Sequence, residues 1–76
     1  MTRQTTHAIR VRTRYAFVVL GLRLLLTYVM ADNVRSHKAL LKCGYREVGR
    51  IPARIWKGGA YRDVVQLALY RDDWHE

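Results

Sequence analysis

Asn33 and Ser36 stand three residues apart just after an apolar run that ends at Ala31-Asp32, a spacing that puts a carboxamide at a helix start and a hydroxyl on its first turn. A carboxamide there can accept the backbone amides near Arg35 and Ser36, and the amides left over are available to an anionic or polar ligand. The hydroxyl can donate a proton to a leaving group or orient it, although an unactivated serine is a weak acid. Capping alone also accounts for Asn33, and helix-start hydrogen bonding for Ser36, so both readings stay open here. The remaining reactive side chains are scattered. His7, His37 and His75 share no metal-ligand spacing and read as structural or surface groups, and no metal site is expected. Cys43 stands alone before Gly44 with no assured base beside it and reads as a small buried residue at a helix end. Gly-rich nucleotide loops, HExxH, CxxC and paired carboxylate motifs do not occur. Trp56, Trp74 and the five tyrosines read as packing and interface area, since they do not recur in a nucleic-acid motif.

These groups must be held by one small domain or a piece of a larger one. The chain has 76 residues, half of them apolar, with only five Gly and one Pro, which excludes a disordered basic tail or a low-complexity linker. A monomer of this size buries only about 60% of its extended surface, so a partner chain is expected. A single cysteine forms no internal disulfide and fits a reducing, cytoplasmic setting. The apolar stretch from Tyr15 to Met30 is sixteen residues long and carries Gly21 and Arg23. A membrane-spanning helix wants roughly 20 apolar residues, so a soluble chain without membrane association is expected, and the opening residues lack the pattern of a secretory signal. The formal charge is +8, unevenly placed. Residues 1–30 carry five arginines (Arg3, Arg10, Arg12, Arg14, Arg23) and no acid, whereas residues 31–76 carry nine basic and six acidic groups. Such a field attracts phosphate, on a nucleic acid or on a nucleotide cofactor alike.

The elements follow from periodicity and punctuation. Ala8, Val11, Tyr15 and Val18 or Val19 recur at three- and four-residue intervals, predicting a helix over 4–19 that buries that side, capped by Thr5 or Thr6 and stopped by Gly21. Leu24, Leu25, Leu26 and Val29 predict a strand over 23–30, apolar enough to be central and covered on both faces. Asn33 begins a helix over 34–43 that Gly44 ends. Strands over 45–56 and 60–70 form a hairpin across Lys57-Gly58-Gly59, with Pro52 marking an edge or a bend. Asp63, Val65, Leu67 and Leu69 fall on one face of the last strand, and Val64, Gln66, Ala68 and Tyr70 on the other. The order helix, strand, helix, strand, strand is α+β with a three-stranded mixed sheet, because a helical connection favours a crossover before the final antiparallel pair. The edge of the 24–30 strand then needs a neighbour, and completion by dimerisation is expected.

The segment Asn33-Val-Arg-Ser-His-Lys-Ala-Leu-Leu-Lys-Cys-Gly-Tyr45 resembles the Asn-x-x-Ser, then Lys-x-Gly-aromatic stretch of the GCN5-related N-acetyltransferases, especially their ribosomal-protein and amino-terminal acetylating branch. Ala8 to Leu22 is similar to the helix after that family's pyrophosphate loop. Gly59-Ala-Tyr-Arg-Asp63 and Arg71-Asp-Asp-Trp74 look like its last strand and end. The resemblance covers nearly the whole chain but corresponds to the carboxyl-terminal half of a family domain. It implies a truncated domain of that fold over 1–76 and acetyl-CoA as cofactor. Asn33 would orient the cofactor, and Ser36 would stand near the departing sulfur as general acid. Arg3, Thr5 and Thr6 would lie near the pyrophosphate. The family's alternative tyrosine acid, seven residues after the Asn, is Leu40 here. The chain departs from the pattern at Arg3-Gln4-Thr5-Thr6, where the family's loop has glycine, and it has no counterpart of several opening strands. The isolated chain is accordingly expected to be a poor acetyltransferase. Two other readings are carried: a noncatalytic module that dimerises or binds another protein, and a less favoured nucleic-acid binder through Arg10, Arg12 and Arg14.

Overall fold

The computed structural model describes residues 2–75, with side chains from residue 6 onward. Helix α1 (Thr2–Arg14) runs into a π-helical turn over Tyr15–Val19, where the Leu20 N–H donates to the Tyr15 carbonyl five residues back. Gly21 then takes a left-handed φ of 67°, and the chain turns into β1 (Leu24–Met30). After α2 (Val34–Lys42) come β2 (Arg46–Lys57) and β3 (Ala60–Tyr70), and a short 3₁₀ turn over Arg71–Asp73 closes the fold. The α+β architecture and the element order are those expected.

Three local expectations change. The helix begins at Thr2, so Thr5 and Thr6 are helical positions rather than caps. Its period is helical, but its phase differs: Ile9, Thr13, Ala16 and Phe17 are buried while Ala8, Val11, Tyr15, Val18 and Val19 are exposed. The buried side is selected by what lies opposite it. The Thr13 hydroxyl pairs with the Tyr45 hydroxyl at 2.7 Å, and Phe17 packs against Trp74 with ring centroids 5.3 Å apart. The third change concerns the sheet, whose strand order is β1-β3-β2, so β3 is central and β1 lies at an edge. Leu24, Leu26 and Tyr28 are exposed, so β1 is not covered on both faces. Both hydrogen-bonded ladders are antiparallel. The parallel relationship that the helical crossover implies holds between β1 and β2, which do not touch because β3 lies between them.

The helices sit on one face of the sheet. Val29, Val65, Leu67 and Leu69 from that face join Ile9, Phe17, Ala39, Leu40 and Tyr45 in the core. Tyr45 reaches it because α2 ends in a Schellman arrangement. The Tyr45 N–H donates to the Leu40 carbonyl and the Gly44 N–H to the Leu41 carbonyl, with Gly44 at φ 96°.

The β2–β3 ladder breaks between Ile51 and Ile55, where Pro52, Ala53 and Arg54 stand opposite Asp63 alone. Proline has no amide for a ladder, so the bend falls where the sequence placed it. Asp63 closes the gap: its Oδ1 accepts the Ala53 N–H and its Oδ2 the Arg50 guanidinium, both at 2.9 Å. The Ala53 N–H bond first, and Arg50 second, hold the Asp63 carboxyl below the usual carboxylate value.

Candidate functional site

The apolar residues of β1 carry the chain to a turn in which the Asn33 N–H donates to the Met30 carbonyl at 2.9 Å. Asn33 then caps α2: its side-chain Oδ1 accepts the Ser36 N–H at 3.3 Å, and its carbonyl accepts the His37 N–H at 3.1 Å. The cap occupies the oxygen of the carboxamide and leaves its NH₂ donors without a partner among the described residues. The Ser36 hydroxyl stands on the same turn, one helical turn ahead of Leu40.

These groups open onto a groove of about 500 Å³ along the free side of β1, the size range of small-molecule sites. Thr27 to Met30 form its floor, Ile9 and Arg12 of α1 one wall, and Asn33, Ser36 and Leu40 another. Ile55, Lys57 and Val64 of the hairpin close the end. A smaller hollow of about 160 Å³ continues along the same strand past Leu25 and Leu26, sharing Ile9, Arg12, Thr27 and Leu40 with the first. The opening therefore follows the strand edge that carries no partner strand.

The structure brings Asn33 and Ser36 together at this groove. Thr6 is not among its lining residues. Its carbonyl faces Cys43 at the far end of α2, with Sγ 3.8 Å away. The side chains of Arg3 and Thr5 lie outside the described residues, but the backbone there is the first part of α1 and not a loop. From the sequence, Arg12 enters only among the basic residues of the first helix that attract phosphate or a nucleic acid, and Lys57 only in the hairpin connection, neither as a companion of Asn33. They join Asn33 only through the packing of α1 and the hairpin about β1, and no spacing signal links positions so far apart. Both are exposed, and neither has an ion-pair partner among the described residues.

The carboxylates nearby are engaged elsewhere. Asp32 pairs with Arg62 at 3.0 Å, and Asp63 with Arg50 at 2.9 Å. Glu47 lies 2.6 Å from His37 Nε2. His7 and His75 are exposed, and among the described residues no group of three or more His, Cys, Asp or Glu side chains is placed to hold a metal. Among the same residues no helix is long and apolar enough to cross a membrane.

No family model matches the chain, and no curated protein resembles it in sequence. Solved structures do share its fold. A probable acetyltransferase is 26% identical, with a TM-score of 0.85 over 91% of this chain and 39% of that one. The spermidine N-acetyltransferase of Vibrio cholerae, solved in complex with CoA and spermine, is 22% identical, with a TM-score of 0.87 over 91% of this chain and 41% of that one. This chain spans about two fifths of the length of these proteins. The fold is thus that of GCN5-related acetyltransferases in general, and these likenesses do not single out the ribosomal-protein branch.

Proposed function

We propose that the chain is the cofactor side of an acetyl-CoA-dependent N-acetyltransferase site, of low activity until a second polypeptide completes it. The observation that carries this reading is the meeting of Asn33 and Ser36 at a ligand-sized groove along the unpaired edge of β1. The donor set suits a polyanionic thioester. Asn33 has NH₂ donors to spare, Ser36 has a hydroxyl, and Arg12 and Lys57 supply positive charge without an opposing carboxylate among the described residues of the lining. Bound acetyl-CoA would supply an acetyl group whose C–S bond is exchanged for a C–N bond to an amine, the proton lost by nitrogen balancing the one gained by sulfur. In this reading Asn33 orients the cofactor arm, and Ser36 donates toward the departing sulfur, with most of the acceleration coming from positioning. Leu40 offers no proton at the place of the family's alternative acid. Arg3, Thr5 and Thr6 are assigned to the phosphate end by resemblance, through the leading turn of α1. The absence of a glycine cradle there, with this backbone already helical, is the reason for the low activity assigned to the isolated chain. A soluble, cytoplasmic setting is part of the same reading and rests on the lone cysteine.

The test is thermal unfolding and calorimetry with acetyl-CoA, followed by thiol release with an amine present. Saturable stabilisation with slow turnover is expected, and Ser36→Ala should lower turnover while retaining binding. No stabilisation at millimolar acetyl-CoA would refute the cofactor reading.

A second reading has its own support. The seven residues of β1 expose one ladder edge, and Leu24, Leu26 and Tyr28 expose apolar surface beside it. Val11, Tyr15, Val18 and Val19 add an exposed stripe on the first helix and its π turn. A homodimer, or a complementing chain that lays a strand on this edge, would cover such surface whether or not catalysis survives. Nucleic-acid binding by the basic helix remains the less favoured account, since Arg12 faces the groove.

A further inference from the structure

Arg62 stands where the end of β1, the central strand and the hairpin tip come together. Ile55 of β2 is opposite it on one side, and on the other the β1 ladder has just ended, with the Ala31 N–H donating to the Asp63 carbonyl at 2.9 Å. A guanidinium carries donors on separate edges of one plane, so it can hold acceptors on two elements at once. Its Nη1 donates to the Asp32 carboxylate at 3.0 Å, and its Nε to the Lys57 carbonyl at 3.2 Å. Nη2 lies beside Gly58, where a Cβ would stand 3.3 Å from it. Asp32 belongs to the turn that sets the Asn33 cap, and Lys57 to the hairpin tip that closes the groove with Ile55. Beyond the break at Pro52 to Arg54, Ile55–Lys57 pair with Ala60–Arg62, a stretch of β3 that the register of β1 does not reach. Two strands alone are marginally stable in water, so the direction of this tip depends on what ties it to its surroundings. The Arg62 and Asp32 side chains are 38% and 55% exposed, so their pair adds little to overall stability. What it fixes is position.

We propose that Arg62 is a positioning residue, a clasp that joins the hairpin tip to the Asn33 turn and so sets the separation between those two sides of the groove. Its effect on binding rests on the cofactor reading of the groove, whereas the clasp itself does not. Neither Arg62 nor Asp32 is among the described residues that line the groove, so both act through their neighbours, Lys57 on one side and Asn33 on the other.

Amide hydrogen exchange on the full chain reads the clasp, and calorimetric titration with acetyl-CoA reads its consequence. Asp32→Asn removes the charge that Arg62 holds, and Arg62→Lys keeps the charge but replaces the planar fork with a point donor. Each should speed exchange about threefold in residues 55–61, while residues 65–69 and the thermal midpoint stay as in the parent. Each should also weaken acetyl-CoA about threefold, within what an exposed ion pair is worth, and the double variant should be no weaker than either alone. Charge by itself predicts the opposite sign for Asp32→Asn, because losing a carboxylate next to the cap favours an anionic ligand. Unchanged exchange at the tip in Asp32→Asn would overturn the clasp. Faster exchange with acetyl-CoA affinity unchanged or raised would overturn the positioning role and leave Arg62 a surface tie. A parent chain that does not bind acetyl-CoA would refute the cofactor reading, and exchange at the tip would still decide the clasp.

Discussion

Asp63 Oδ1 accepts the backbone N–H of Ala53 at 2.9 Å, so a side chain of the central strand takes the place of the ladder bond lost at the bulge. Ala53 has a left-handed φ of 51°, a conformation that costs an L-residue roughly 1–2 kcal/mol, and the Asp63 contact is what holds it there. The contact shapes the end of the hairpin that delivers Ile55 and Lys57 to the groove.

Because Asp63 titrates below its ordinary value in the folded chain, the linkage has a definite sign. Its contribution is present above the unfolded carboxylate pKa of about 3.9 and is lost as pH falls through the lower folded value. The thermal midpoint should therefore drop on acidification below about pH 4, and Asp63→Asn should flatten that part of the profile. An unchanged acid limb in the variant would show that other carboxylates govern it.

The Thr13–Tyr45 hydroxyl pair joins α1 to the start of β2 inside the core. Thr13→Val leaves a buried phenol without a partner and should cost about 1–3 kcal/mol in denaturant unfolding. Tyr45→Phe should cost less, because a helical threonine can turn its hydroxyl to the carbonyl four residues back. The double variant should be less destabilised than the sum of the two, and additive losses would argue against direct coupling.

Asn33 has two separable jobs in the functional reading. Asn33→Asp keeps the cap acceptor and should retain stability, yet it removes the NH₂ donors and adds a negative charge in the groove, so acetyl-CoA affinity should fall about tenfold or more. Asn33→Ala should lose the cap as well, at about 1 kcal/mol of stability. Equal cofactor binding by the Asp variant and the parent would leave Asn33 as a cap only.

Leu26 and Tyr28 point away from the core on the edge strand β1, at 51% and 53% exposure. Leu26→Lys combined with Tyr28→Lys should abolish concentration-dependent association in sedimentation velocity with little effect on unfolding, as charges on an edge do elsewhere. A parent chain that is strictly monomeric at micromolar concentration would remove the dimer reading.

The punctuation of this chain was legible without coordinates, because it depends on interactions a few residues long. Gly21 and Gly44 adopt the left-handed backbone their positions implied, Pro52 marks the bend, and Asn33 accepts the Ser36 amide as a cap should. The phase of the first helix is not set by its own residues. Two apolar stripes compete along it, and only the Tyr45 hydroxyl and the Trp74 ring, far away in sequence, decide that Thr13 and Phe17 turn inward. The placement of β3 between its neighbours, and hence the open side of β1, is likewise a choice among pairings whose ends lie tens of residues apart. The groove follows from that choice. Asn33 and Ser36 are neighbours by helical geometry and were visible as a pair from spacing. Arg12 and Lys57 become their companions only through long-range packing, since no local period relates a helix residue to a hairpin tip.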